Sequence, residues 1–261
     1  MTSVAPPGPP QDRPETERSE RYLTLVEHLQ ELRRRLIICS VAVVVGLSIS
    51  AYFTGDLLRF LKHPAEERSQ DFRLVFLEPF ESFVTYFKIA LMSSIVLAMP
   101  VIMYQILAFV APGLKANEKR WLYGTVAGSV GLFLAGVAFA YYVALPPALG
   151  FLLNFQNDIA EPQIRLGSYF DFVLRLLFWT GVAFQTPLIV MFLARLRIVT
   201  ARRLIGWWRF AIVGAFVVAA VVTPTPDPVT CTIVALPLIG LYFLGVALAV
   251  AVQPRGPPTA R

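Results

Sequence analysis

Six stretches of this chain carry no charged side chain: residues 36–55, 89–114, 121–157, 176–194, 210–226 and 228–254. About 20 apolar residues are enough to cross the ~30 Å hydrocarbon layer of a bilayer. Hydrophobic residues make up 56% of the 261 and charged ones only 15%, more apolar side chain than a soluble domain of this length can bury. In lipid the backbone must satisfy its own hydrogen bonds. Runs this long and uniformly apolar do so as helices, since barrel strands would alternate. The expectation is an all-α, polytopic membrane protein with six transmembrane helices.

Orientation follows from the Lys and Arg residues of an alternating six-span chain. Of the 23, sixteen fall on the side of the two termini, including Arg33, Arg34, Arg35, Lys115, Lys119, Arg120, Arg202 and Arg203. Five fall on the other side: Arg59, Lys62, Arg68, Arg73 and Arg165. Both termini are therefore expected in the cytoplasm, and the net charge of +6 reads as this bias plus attraction to an anionic bilayer. No basic-aromatic array suggests nucleic acid. Residues 1–20, with Pro6, Pro7, Pro9, Pro10 and Pro14, and residues 253–261 are expected to be disordered, leaving 21–252 as the membrane domain. No cleavable signal peptide precedes the first apolar run. Cys39 and Cys231 fall near opposite faces of the bilayer, so no disulfide between them is expected.

An inventory argues against catalysis. The two histidines, His28 and His63, lie outside the spans, no His/Cys/carboxylate cluster suggests a metal, and no glycine-rich phosphate loop is present. No cofactor is expected. Among polar groups inside the spans, Lys88 and Arg175 lie toward helix ends, where they can snorkel or pair, Arg175 with Asp171 one turn back. Gln185, in "FQTP", lies deeper, beside Pro187, which removes a backbone donor. Two roles stand open for that amide, a helix-to-helix bond or a ligand-facing group; the second would suit a small-solute or ion transporter with a midplane site. Gly124, Gly128 and Gly131 read as a close helix-packing face. The fifth apolar run has about 14 residues before "PTPDP" and reaches only ~21 Å.

The terminal side carries a more specific pattern. In "HLQELRRRL", residues 28–36, Glu31 sits among arginines that would by themselves anchor a span. It could pair with Arg35 one turn on, a surface pair contributing at most ~0.5 kcal/mol. Leu25, Leu29, Leu32 and Leu36 form an apolar stripe beside it. The next loop on this side, in "YQILAFVAPGLKANEKR", again holds a single acid, Glu118, among basic residues. Two isolated carboxylates on one basic face would suit arginines presented by a partner, because carboxylate and guanidinium match as a bidentate pair.

"HLQELRRRL" resembles the N-terminal motif of the TatC family, the polytopic core subunit of the twin-arginine protein translocase. Further segments follow in family order: Pro64, "EPFESFVTYFKIAL", "YQILAFVAPGLKANEKR", "GVAFQTP" and "TPTPDP". The likeness covers residues 22–250. It implies a non-enzymatic receptor in the cytoplasmic (inner) membrane of a prokaryote, with a concave face and two short final helices. Such a receptor binds twin-arginine signal peptides of folded cargo and works with single-span TatA-type and TatB-type subunits and other TatC copies, driven by the proton-motive force. Carried over by position, Glu31 and Glu118 would receive the two arginines, with Arg33, Leu32 and Phe109 around them. Pro64 would shape the outer cap, and Gln185 would face the inserted signal hairpin. Thr223 and Cys231 would lie where single-span partners dock, with Pro187, Pro226 and Asp227 as structural positions. This chain departs from the family at Gln185, where many members carry a glutamate; at Thr230 and Cys231, where Ser-Gln is frequent; and at Phe243, which replaces a frequent acid.

Overall fold

In the computed structural model, which describes residues 15–68, 73–110, 119–154, 164–195, 198–223 and 228–252, the chain is helical throughout its apolar runs. The first span lies in α1 (Glu15–Glu66) and the second in α2 (Glu81–Val110). The third runs through α3 (Lys119–Phe139), a π-helical turn (Ala140–Ala144) and α4 (Leu145–Asn154). The fourth is divided between α5 (Leu166–Ala183) and α6 (Thr186–Arg195). A short α7 (Ala201–Gly206) precedes α8 (Trp208–Val222), and α9 (Pro228–Val252) ends the described chain. Five of these helical segments are long and apolar enough to cross a membrane, and α8 is a sixth, shorter apolar helix. The polytopic all-α expectation stands.

Several expectations are corrected. Helix α1 begins at Glu15. Its 52 residues extend ~78 Å, so both ends project well beyond the hydrocarbon. Only one of the last two helices is short: α8 has 15 residues, whereas α9 has 25 because no charge interrupts it and Pro237 does not end it. Two strands of two residues, β1 (Leu74–Val75) and β2 (Ile164–Arg165), pair in parallel with Leu74 opposite Ile164. They tie together the loops on the side away from the termini and were not foreseen, being too short to show a period of two.

Without a hydrophobic drive between helices in lipid, close backbone approach sets the packing. At Gly46 of α1 an added Cβ would lie 2.9 Å from the Ser94 carbonyl oxygen of α2. At Gly136 of α3 it would lie 2.7 Å from the Phe184 ring and 2.9 Å from the Gly181 Cα. Gly124, Gly128 and Gly131, expected to be the packing face, meet nothing within 4 Å. The close contact of α3 is one turn further along. Half of the most apolar window of the α5–α6 span is buried, against 11% of that of α1. Helix α5 is therefore the central element, with Tyr169, Phe170, Val173 and Leu176 packed against Ala140, Leu145 and Leu149 of the third span and Ala219 and Val234 of the last two.

Two prolines in these helices free carbonyls that side chains then satisfy. Pro64 lacks the N–H that would bond the Phe60 carbonyl, and the Tyr141 hydroxyl donates to that oxygen at 2.8 Å. Pro187 likewise leaves the Ala183 carbonyl, to which Thr186 Oγ1 donates at 2.6 Å. The fourth span breaks there for one turn at Phe184 and Gln185, yet its backbone stays bonded, with Gln185 N–H donating to Val182 O and Ile189 N–H to Gln185 O, both at 3.0 Å.

Candidate functional site

On the face carrying the N-terminus, α1 and the last turns of α2 bring Glu31, Arg35, Gln105 and Phe109 together. Arg35 donates to Glu31 Oε1 through Nε at 3.0 Å and Nη2 at 2.6 Å, so both bonds fall on one carboxylate oxygen. The same guanidinium donates from Nη1 to Gln105 Oε1 at 3.0 Å and from Nη2 to the Ala108 carbonyl at 3.3 Å. The helical spacing foresaw the Glu31–Arg35 pair; its anchorage to α2 was not readable from the sequence. Arg35 keeps 21% of its side chain exposed and Glu31 35%, leaving the acid half-open to solvent.

Around the acid, Leu32 and Arg33 are exposed, and His28 stacks on Phe109 with ring centroids 4.4 Å apart. Leu29, Leu32 and Leu36, expected as an apolar stripe, are exposed at 63%, 43% and 64%. That stripe is covered by no helix among the described residues. Arg33 makes no ion pair among the described residues and stands exposed beside the acid. Glu118, the second expected carboxylate, lies outside the described residues, as do Pro226 and Asp227.

Gln185 is 4% exposed, and both ends of its amide are bonded to one residue. Ser129 Oγ donates to its Oε1 at 2.8 Å, and its Nε2 donates to the Ser129 carbonyl at 2.9 Å. Of the two roles left open, the geometry is that of the helix-to-helix bond. The amide stands at the wall of a hollow of about 200 Å³ between α2, α3 and α6 that is otherwise lined mainly by apolar side chains such as Leu107, Ile189 and Phe192. Pro187 beside it is buried and lies within 2.9 Å of where a Cβ on Gly245 of α9 would stand. At the turn between the last helices, Thr223 is buried, donates to the Ala219 carbonyl at 2.7 Å and lies 3.2 Å from Cys231 Sγ. The structure thus brings these two expected docking positions together.

The opposite side holds a polar network that sequence reasoning missed. Glu81 accepts Arg165 Nε at 2.8 Å and the backbone N–H groups of Gly167 at 2.7 Å and Leu77 at 3.0 Å. Arg165 also donates to Glu78 at 2.9 Å, and these hydrogen bonds, Glu81's first, raise its guanidinium further above the ordinary arginine value. Lys88 forms an ion pair with Asp171 at 2.7 Å, so Asp171 is taken by another helix and not by Arg175 as expected. The i,i+4 rule finds partners within one helix; this contact spans 83 residues. Pro64, buried at the end of α1, is part of the same outer region.

Comparison with known proteins agrees with this architecture. The family model described as "Sec-independent protein translocase protein (TatC)" matches residues 27–237. A Sec-independent protein translocase protein TatC from Synechocystis is 41% identical over 86% of this chain and 87% of its own length. One from Carboxydothermus hydrogenoformans is 36% identical over 90% of this chain and 96% of its own. The chloroplastic TATC of Arabidopsis thaliana is 41% identical over 87% of this chain, which spans 66% of that longer relative. A crystal structure of a twin-arginine translocase receptor TatC superposes with a TM-score of 0.74 at 35% identity, covering 86% of this chain and 99% of the other. Six apolar helices in this order, the open acid on the arginine-rich face and the extent of these matches agree: the chain belongs to the TatC family of Sec-independent protein translocase proteins.

Proposed function

We propose that this chain is the receptor and core subunit of a twin-arginine translocase, and that the first contact with cargo is made at Glu31. One observation carries the reading: a half-open carboxylate held on a single oxygen by an arginine of its own chain, which is itself anchored to the next helix. An incoming guanidinium can take the free oxygen and then displace Arg35, which keeps partners in Gln105 and the Ala108 carbonyl. The exchange strands no buried charge, since Arg35 retains bonds and Glu31 trades one charge-assisted bond for another. The exposed Leu29, Leu32 and Leu36 stripe offers the apolar continuation of a signal peptide a surface in line with the acid. Glu118 is the proposed partner acid, with Arg33, Leu32 and Phe109 shaping the mouth.

In this reading the arginine-rich face is cytoplasmic, as the distribution of Lys and Arg supports, and the membrane is the inner membrane of a prokaryote. Thr223 and Cys231 receive single-span TatA-type and TatB-type subunits, export draws on the proton-motive force, and the chain is a receptor without catalysis of its own. A small-solute transporter is disfavoured because the deep amide of Gln185 donates to and accepts from Ser129.

The test is binding of a fluorescent Arg-Arg signal peptide to the purified protein against its Lys-Lys counterpart. Glu31→Gln should weaken Arg-Arg binding at least tenfold, the loss of a charge-assisted bond of about 1.5–3 kcal/mol. Undiminished preference for Arg-Arg in both Glu31→Gln and Glu118→Gln would sink the receptor assignment.

A further inference from the structure

Helix α1 leans on α2 near Gly46, and α2 and α5 form the floor of a groove that opens between α1 and α3. The groove is a cavity of about 400 Å³ walled by Phe53 and Leu57 of α1, Val96 of α2, Val137 of α3 and Phe178 of α5. Ser50 and Ser93 also border it, the Ser50 hydroxyl oxygen being itself buried, so the wall is mainly hydrocarbon. At its outer end Phe60 belongs both to this groove and to a second cavity of about 580 Å³, and it stacks on Tyr141 at 4.3 Å. The second cavity is of mixed character, with Arg59, His63, Glu67 and Tyr142 among its lining residues.

Length decides what fits. From Ile49 to Asp56 the apolar groove follows α1 for ~10 Å, within the ~15 Å hydrocarbon depth of one leaflet, and it continues for another turn to Phe60. A spanning helix would need about twice that. Charge decides the rest. Asp56 is the first charge after the uncharged run of the first span and so stands near headgroup level. One turn on, Arg59 lies 4.0 Å from Asp56, both largely exposed, and His63 lies 3.5 Å from Glu67. Arg59 and Glu67 thus line one cavity that meets the apolar groove at Phe60. A phosphate fits at Arg59, and an ammonium beside it meets Asp56 or Glu67.

We propose that this groove binds one glycerophospholipid with an amine-bearing, zwitterionic headgroup, from the leaflet opposite the N-terminus, with an acyl chain between α1 and α3 and its headgroup on the Arg59 rim. The occupant fills the gap that α1 leaves beside α3, and its headgroup lies against the Phe60–Tyr141 stack that fastens α1 to the third span. This follows from the shape of the bundle and does not depend on the receptor reading.

The test uses the full chain reconstituted in liposomes containing a phospholipid with a photoreactive acyl chain, headed in one arm by ethanolamine and in the other by glycerol. Labelled peptides are identified by mass spectrometry. Labels should concentrate in residues 49–61 and 92–97, with the ethanolamine lipid favoured about threefold to fivefold, the scale of one exposed ion pair. Val137→Trp, or Ser93→Phe should that variant fail to fold, should abolish groove labelling while labels on the exposed face of α9 persist. Asp56→Asn combined with Glu67→Gln, both at exposed positions, should erase the headgroup preference without loss of folding. Labels spread evenly around the bundle would overturn the proposal. So would equal labelling by both lipids, or groove labelling indifferent to the filling variants. Absence of groove labels with a co-purified single-span protein cross-linked there would give the groove to a helix instead.

Discussion

Tyr141→Phe in combination with Pro64→Ala tests how α1 is held to the rest of the bundle. Tyr141 is 7% exposed, and its hydroxyl donates to the Phe60 carbonyl, the oxygen that Pro64 deprives of a helical donor. Removing the hydroxyl alone leaves the ring and its stacking on Phe60 in place, but leaves a partly buried acceptor without its donor. A buried acceptor without a partner costs about 1–3 kcal/mol, and hydrogen bonds between membrane helices fall toward the lower end of that range. Tyr141→Phe should therefore destabilise by about 1–2 kcal/mol. In the Pro64→Ala background the restored N–H takes the Phe60 carbonyl, and the same hydroxyl should then contribute ~0.5 kcal/mol or less. The coupling energy of the cycle should thus be about 1 kcal/mol, a shift of roughly fivefold in the unfolding equilibrium. Reversible unfolding in mixed detergent micelles, followed by circular dichroism, measures all four corners. Effects that add within about 0.3 kcal/mol would refute the idea that the tyrosine answers the proline.

Three more outcomes follow from the packing. Ser129→Ala removes the donor to Gln185 Oε1 in a site with 4% exposure and should destabilise by about 1–2 kcal/mol in the same assay. Gln185→Glu should be tolerated as the neutral acid, which can still donate to the Ser129 carbonyl; its stability should fall as pH rises and the buried carboxylate is forced to ionise. Gly136→Ala pushes a methyl into Phe184 and Gly181 and should lower thermal stability, whereas Gly128→Ala meets open space and should be neutral or stabilising by up to about 1 kcal/mol. Equal effects at the two glycines would remove the distinction drawn between them.

Why some of this was legible and some not is seen at single residues. Glu31 and Arg35 are one helical turn apart, so their pairing follows from α-helical geometry alone. Arg35 with Gln105, Gln185 with Ser129, Lys88 with Asp171 and Arg165 with Glu81 join residues 56 to 84 positions apart, and no local period encodes such pairs. Asp171 shows the consequence: local spacing offered Arg175, and the approach of α2 to α5 supplied Lys88. The glycines show it again, because a small residue permits close contact without saying which turn will make it.

By itself the sequence determined that this chain lives in lipid, how many apolar runs cross it, and on which face its arginines collect. Hydrocarbon thickness and the cost of an unpaired backbone leave an apolar run of that length no other form. Only the tertiary structure decided that the deep amide is sealed by Ser129, that Tyr141 answers Pro64, and that α1 stands off from α3 and leaves an apolar groove. These depend on where two helices touch. In a bilayer that is settled by the fit of small side chains and by the few polar groups that must find each other.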